Sequence, residues 1–322
     1  MTEIFDFTNC SENPRKSYLG ANGSKKCLII NGQDYMVKFP AAPTKNDELS
    51  YTNSCISEYI ACHIFEVAEI PVQKTLLGTY KNGNKEKIVV ACKDMTRPGV
   101  ELKPFAGLKN QIVDSPRNGF GTELSEILQT FEEQQLFDQK LISDRFWDMF
   151  IVDSLIGNWD RHNGNWGYLY DSINDTVELA PVYDCGSSLF PQADKNMMEK
   201  ILADKNEIKF RVYSIPLSSI KINDKKINYR DFIESLQNED CNRALKRLYP
   251  KLDMKKILKV VDETPFITDL QKTFFATMLT ARHSLILSRS YNKLIEREKS
   301  LNLEIPAVKR NKSRDDDYDR GR

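Results

Sequence analysis

Asp160 and Asn165 stand in Gly157-Asn158-Trp159-Asp160-Arg161-His162-Asn163-Gly164-Asn165, at the spacing D-x-x-x-x-N. In a phosphoryl-transfer loop of that spacing the Asp receives the proton of the attacking hydroxyl and the Asn holds a magnesium ion. Asp184 follows the apolar run Pro181-Val182-Tyr183 and precedes Cys185-Gly186, the setting of a second carboxylate ligand for Mg²⁺. The transfer needs such a set: a carboxylate to orient the nucleophile, and oxygen ligands for the cation that neutralises a triphosphate. Alone, D-x-x-x-x-N arises by chance in many proteins. It becomes specific when a second Asp, a glycine turn, a lysine and a glutamate accompany it.

The glycine turn is Gly20-Ala21-Asn22-Gly23, just ahead of Cys27-Leu28-Ile29-Ile30. Glycine lets a backbone approach closely enough for its N–H groups to face phosphates. Asn31-Gly32 is a type I′ hairpin signal, and Tyr35-Met36-Val37-Lys38-Phe39-Pro40 reads as the returning strand. Lys38 is then either a phosphate ligand or a solvated hairpin lysine. Glu58 lies beside the apolar face of the next helix, so it either reaches inward to Lys38 or is a surface glutamate. Cys92-Lys93-Asp94, where a later strand stops, falls where a hinge would hydrogen-bond adenine through its backbone. His63 reads as a packed histidine, since none of the three His pairs with a Cys or acid at ligand spacing.

The elements that must position these residues follow from periodicity. A helix over about Ser50–Ala68 carries Ile56, Tyr59, Ile60, His63, Ile64 and Val67 on one face, and strands at Gln73–Tyr80 and Lys87–Cys92 flank a turn at Lys81–Asn84. Residues 95–122 give no clear pattern. Helices resume at Glu123–Glu133 and Gln139–Ile156, the second apolar over more than half its circumference, as a helix inside a large core must be. It delivers the chain into Asp160. A hairpin over Gly167–Tyr170 and Val177–Ala180 leads to Asp184. Beyond it the pattern is helical, at Met197–Leu202, Tyr229–Leu236, Asn242–Leu248, Met254–Val261 and in one long helix from Ile267 to Lys299, with a solvated charged turn at Lys221–Lys226. The tail Lys309–Arg322 has almost nothing to bury and is expected to be disordered.

Lys plus Arg equals Asp plus Glu, 46 each. Such a balance gives no overall field toward nucleic acid or an anionic membrane, so direct nucleic-acid binding is not expected. Seven cysteines without a C-x-x-C, and an N-terminus with acids where a signal peptide needs bases, lead us to expect a cytoplasmic protein with reduced thiols and no membrane span.

Together the segments Gly20-Ala21-Asn22-Gly23, Tyr35–Pro40, Ser57-Glu58-Tyr59, Leu155–Asn165 and Pro181–Asp184 resemble the HipA family of serine/threonine kinases over about residues 1–300. The resemblance implies an α+β, two-lobed protein-kinase-like fold. Its small, mostly antiparallel β N-lobe with one helix would cover residues 1–94, its helical C-lobe residues 95–305, and its charged tail residues 306–322. It implies ATP and Mg²⁺, with Lys38 on the α- and β-phosphates, Glu58 as its helix partner, Asp160 with His162 in the catalytic loop, and Asn165 and Asp184 on the metal. It also implies an autophosphorylated serine, which aligns with Ser17, and a protein substrate. Cys185 stands where ordinary kinases have the Phe of D-F-G, so no Phe-driven switch is expected. The glycine turn begins within twenty residues of Met1, which leaves no expectation of the antitoxin partner of larger members; translocation into host cells rests on resemblance alone. Three rivals stand beside this reading: a phosphoinositide-type lipid kinase, since D-R-H-N-x-N also fits its loop; an inactive nucleotide-binding interaction module; and a metal-dependent hydrolase built on Asp160 and His162.

Overall fold

The structure, a computed structural model, describes residues 4–18, 24–40, 52–113 and 117–300. Six strands build the first sheet: β1 (Phe5–Asp6), β2 (Ser11–Glu12), β3 (Lys25–Ile30), β4 (Gln33–Lys38), then, after α1 (Ser54–Val67), β5 (Thr75–Asn82) and β6 (Lys85–Lys93). Their order is β1-β5-β6-β4-β3-β2, antiparallel except for β1 beside β5. The β3–β4 turn has Asn31 and Gly32 both at positive φ, the type I′ geometry expected of Asn-Gly. Side chains alternate across β6: Val89 and Ala91 pack with Phe7, Leu28, Val37 and Phe39, whereas Val90 and Cys92 join the core that includes α1.

A second sheet carries the next lobe's loops. β7 (Val100–Pro104) and α2 (Phe105–Ile112) occupy the stretch whose pattern was unreadable, followed by α3 (Leu124–Glu133) and α4 (Gln139–Ile156). β7 pairs with β8 (Gly167–Asp171), which pairs with β9 (Thr176–Leu179). α4 has the expected ends: the Asp138 side chain accepts from Leu141 N–H, and Gly157 closes the helix at φ +64, a conformation that favours glycine. Ile142, Phe146, Trp147, Phe150, Ile151 and Leu155 of α4 are buried, so the chain leaves a fixed helix directly into the Asp160 loop.

The remaining helices are α5 (Lys195–Ala203), α6 (Lys205–Tyr213), α7 (Tyr229–Ser235), α8 (Glu239–Leu248), α9 (Met254–Glu263) and α10 (Asp269–Arg282). The charged Lys221–Lys226 turn is exposed over 222–226, as expected, and forms a short hairpin with Asn223 and Asp224 at positive φ, both of whose N–H groups donate to the Glu123 carboxylate. One expectation changes here. The long last helix is interrupted: α10 gives way to a π-helical turn at His283–Ser288 before α-helix resumes over 289–300. The change of pitch follows Arg282, whose buried guanidinium donates to the carbonyl of Ser154. All seven cysteines are unpaired. Among the described residues no helix is long and apolar enough to cross a membrane. The tail 306–322 lies outside the described residues.

Candidate active site

Lys38 ends β4, held in register by β3 on one side and β6 on the other. Its ammonium donates to Glu58 Oε2 at 2.8 Å and to Asp184 Oδ1 at 2.9 Å. Glu58, on α1, is only 1% exposed and uses both oxygens, because Oε1 accepts the N–H of Cys185 at 3.0 Å. One glutamate thus joins the strand lysine to the segment that carries Asp184. Gly186 makes that approach possible: a Cβ there would lie 3.0 Å from Glu58 Oε2 and 3.4 Å from the Ser54 carbonyl. Asp184 itself sits at φ +56, a costly conformation for a non-glycine residue that surrounding contacts must enforce. Lys38 holds the Asp184 carboxyl down to about 2, despite burial pushing the other way. Burial works against the Lys38 ammonium in turn, but Asp184 and Glu58 more than offset it and keep its pKa well above the lysine value.

The catalytic-loop candidates are arranged by buried polar bonds. Asn158 caps the loop: its Oδ1 accepts from Asp160 N–H at 3.1 Å while its Nδ2 donates to Asp153 Oδ1 at 2.9 Å. Asn165 Nδ2 donates to the Asp160 carbonyl at 2.8 Å, which turns the amide so that its oxygen is the atom left over on this cavity-lining side chain. His162 Nδ1 accepts from Gly164 N–H at 2.9 Å, so its proton belongs on Nε2. Burial raises the Asp160 carboxyl above the usual carboxylate range; His162 opposes that shift and Asp184 adds to it.

Arg161 is the hub. Fully buried, it pairs with Asp153 at 3.0 Å and donates to the carbonyls of Asn165 and Tyr183 and to Cys185 Sγ. One side chain therefore ties α4 to the loop bearing Asn165 and to the segment bearing Asp184. Sequence reasoning quoted Arg161 and Asn158 only as parts of a motif and missed Asp153. The available signal was Asp153 itself, a carboxylate inside the run Phe150-Ile151-Val152-Asp153-Ser154-Leu155, where a charge needs a partner.

Lys38, Glu58, Asp160, His162, Asn165 and Asp184 all line one cavity of about 930 Å³. Gly20, Ala21, Asn22 and Gly23 lie outside the described residues. Cys92 is not brought to the cavity: it is fully buried and its strand is paired on both sides, with Met36 and Thr75. Asp94 lines the cavity, but its N–H donates to the Asp34 carbonyl, and the Lys93 carbonyl accepts from Gln73 Nε2. The Asp94 N–H and both backbone groups of Lys93 are therefore engaged within the protein. The Asp94 carboxylate is also taken, by Tyr18 Oη at 2.6 Å, Lys16 Nζ at 2.9 Å and Thr96. These bonds lay Lys16–Tyr18 across the end of β6, with Ser17 exposed at the cavity rim.

A family model described as the HipA-like C-terminal domain matches residues 19–264. The chain belongs to this family. The serine/threonine-protein kinase CtkA of Helicobacter pylori is 47% identical over 292 residues, 90% of this chain and 89% of that protein. The crystal structure of an H. pylori proinflammatory kinase CtkA matches with a TM-score of 0.86 at 46% identity, covering 91% of this chain and 98% of that one. This HipA-like chain is accordingly a serine/threonine-protein kinase with the two-lobed fold expected, and ATP is the substrate that its class implies.

Proposed function

We propose that the kinase uses Asp160 to receive the proton of a protein serine or threonine hydroxyl as that oxygen attacks the γ-phosphorus of ATP and the bond from that phosphorus to the β,γ-bridging oxygen breaks, releasing ADP. Lys38, oriented by Glu58, positions the α- and β-phosphates. Asn165 and Asp184 would hold Mg²⁺: a carboxylate that stays ionised and an amide oxygen with no hydrogen-bond donor among the described residues suit an ion that takes few protein oxygens beside phosphates and water. Bound there, the ion would neutralise charge on the triphosphate. His162, its Nδ1 engaged by the loop backbone, shapes the loop and lines the cavity. Adenine would be read by the apolar part of the cavity wall, which Met36, Val90 and Met95 line. The N-lobe would end at Asp94. The protein would act in the cytoplasm.

The observation that carries this reading is the Lys38–Glu58–Asp184 contact set on the same cavity as Asp160 and Asn165. The lipid-kinase alternative gains nothing from the segment after Asp184, because Cys185, Ser188, Leu189 and Phe190 are buried and carry no positive charge. Thermal unfolding with and without ATP and Mg²⁺ provides the test. A ligand at a hundred times its Kd stabilises the native state by about 2.7 kcal/mol. Absence of any shift, together with no phosphate transfer to protein, would overturn the proposal.

A further inference from the structure

Phe120 is 52% exposed, yet it is mounted as firmly as a core residue. The buried Asn163 donates through Nδ2 to the carbonyls on both sides of it, Gly119 at 2.9 Å and Gly121 at 2.7 Å. Gly119 is at φ +78, and a Cβ there would fall 1.8 Å from the Ala106 carbonyl oxygen, so the loop lies flat on α2 only with glycine. Ala106 N–H donates back to the Asn163 carbonyl at 2.9 Å. On the far side, Thr122 Oγ1 donates to the Ser219 carbonyl and its own carbonyl accepts from Lys221 N–H. Both ends of the loop are thus tied down, one of them to the catalytic loop itself.

The Phe120 ring stands edge-on to His162, with centroids 6.3 Å apart. Gly164 allows this, since a Cβ there would come within 2.8 Å of both rings. The aromatic ring and Asp160 line the same cavity. An apolar ring fixed in this way against the loop that carries Asp160 belongs to none of the buried clusters among the described residues, and the bonds on either side of it hold it at the cavity wall.

We propose that Phe120 is a specificity-determining residue for the protein acceptor, receiving an apolar side chain within a residue or two of the serine or threonine that is phosphorylated. Consecutive residues of an extended chain advance about 3.3–3.6 Å, so a side chain within a residue or two of the acceptor can reach a ring that stands against His162, two residues after Asp160, on the same cavity. This rests on the kinase reading above and adds the chemistry that selects the acceptor.

The test uses the full chain with ATP and Mg²⁺ on a phosphatase-treated digest of whole-cell protein made with a protease that cuts after Glu, with phosphosites mapped by mass spectrometry and aligned on the acceptor. Wild-type protein is expected to enrich Leu, Ile, Met or Phe at one position flanking the acceptor. Phe120→Ala should flatten that position alone and raise KM for a peptide carrying the preferred residue about tenfold or more, the loss expected for a buried aromatic contact. The KM for ATP should stay put. Phe120→Leu should restore part of the selectivity, and Phe120→Glu should shift it toward Lys and Arg. A wild-type profile with no apolar enrichment near the acceptor overturns the proposal even if every variant misfolds; so does a Phe120→Ala profile that matches wild type. Failure of wild-type protein to label any peptide overturns the kinase reading and this inference with it.

Discussion

The opposite electrostatic fates of two carboxylates define the chemistry at the residue scale. Asp184 is kept ionised by Lys38, whereas Asp160 is pushed up by burial and lies nearer to where a proton acceptor is useful. Asp160→Asn should leave ATP affinity nearly intact and lower turnover by roughly two to four orders of magnitude, the range for losing a positioned acid–base group. A mutant that keeps most of its rate in a single-turnover assay would show Asp160 to be a structural loop residue. The rate of wild-type protein should fall as pH drops through the raised pKa of Asp160. Stability should respond to Asp184 in the other sense. Its folded pKa, about 2, lies below the ordinary carboxylate value near 3.9, so its contribution is present above that value and is lost as pH falls toward 2. Asp184→Asn should therefore flatten the acid limb of a urea-midpoint-versus-pH curve; an unchanged limb would mean that other carboxylates set it.

Buried polar bonds between segments distant in sequence decide the geometry at the element scale. The parts of the fold that local pattern controls were legible: α4 ends at the residues its cap and its glycine dictate, and the Asn31-Gly32 hairpin has the turn its residues require. The Lys38–Glu58 contact was one of two readings that the sequence left open, because nothing local says which way a glutamate beside an apolar face will turn. β7 was not legible, since Val100–Pro104 is a strand only through its pairing with β8, some seventy residues on. Cys92 was misplaced for a related reason: sequence marks where a strand stops but not which of its backbone groups the neighbouring strands consume. Arg161 concentrates this non-local control in one residue. Arg161→Met should destabilise the protein by about 3–5 kcal/mol, because it leaves Asp153 buried without a partner. The double variant Arg161→Met with Asp153→Leu should recover part of that loss in chemical denaturation. Its nucleotide affinity should stay low, since Arg161 also fixes the Tyr183 carbonyl beside Asp184. A single variant as stable as wild type would show that water or another group replaces the pair.

The lobes of the whole molecule meet around a cavity whose rim includes a segment from near the N-terminus, and regulation belongs to this scale. Ser17 is exposed there, between Lys16 and Tyr18, which both bind Asp94. A phosphoserine would bring about −1.5 to −2 charges to that rim, and the sign of its effect depends on which cations can meet it. Lys16 is already held by Asp34 at 3.1 Å and Asp94 at 2.9 Å, and Lys26 by Glu12 at 2.7 Å. Lys25 lines the cavity and its charge already acts on Asp184. With these cations engaged, repulsion between phosphoserine and the triphosphate should prevail. Phosphorylation at Ser17 should weaken ATP binding, and the charge beside Asp94 should loosen the Lys16–Tyr18 strap as well. Incubation of purified protein with ATP and magnesium, followed by phosphosite mapping, should place phosphate on Ser17. Ser17→Asp should bind ATP several-fold more weakly than Ser17→Ala by titration calorimetry, with the difference shrinking at high salt if charge is the cause. A Ser17→Asp protein with wild-type affinity, or no phosphate on Ser17 in an active preparation, would remove this switch while leaving the roles proposed for Asp160 and Asp184 untouched.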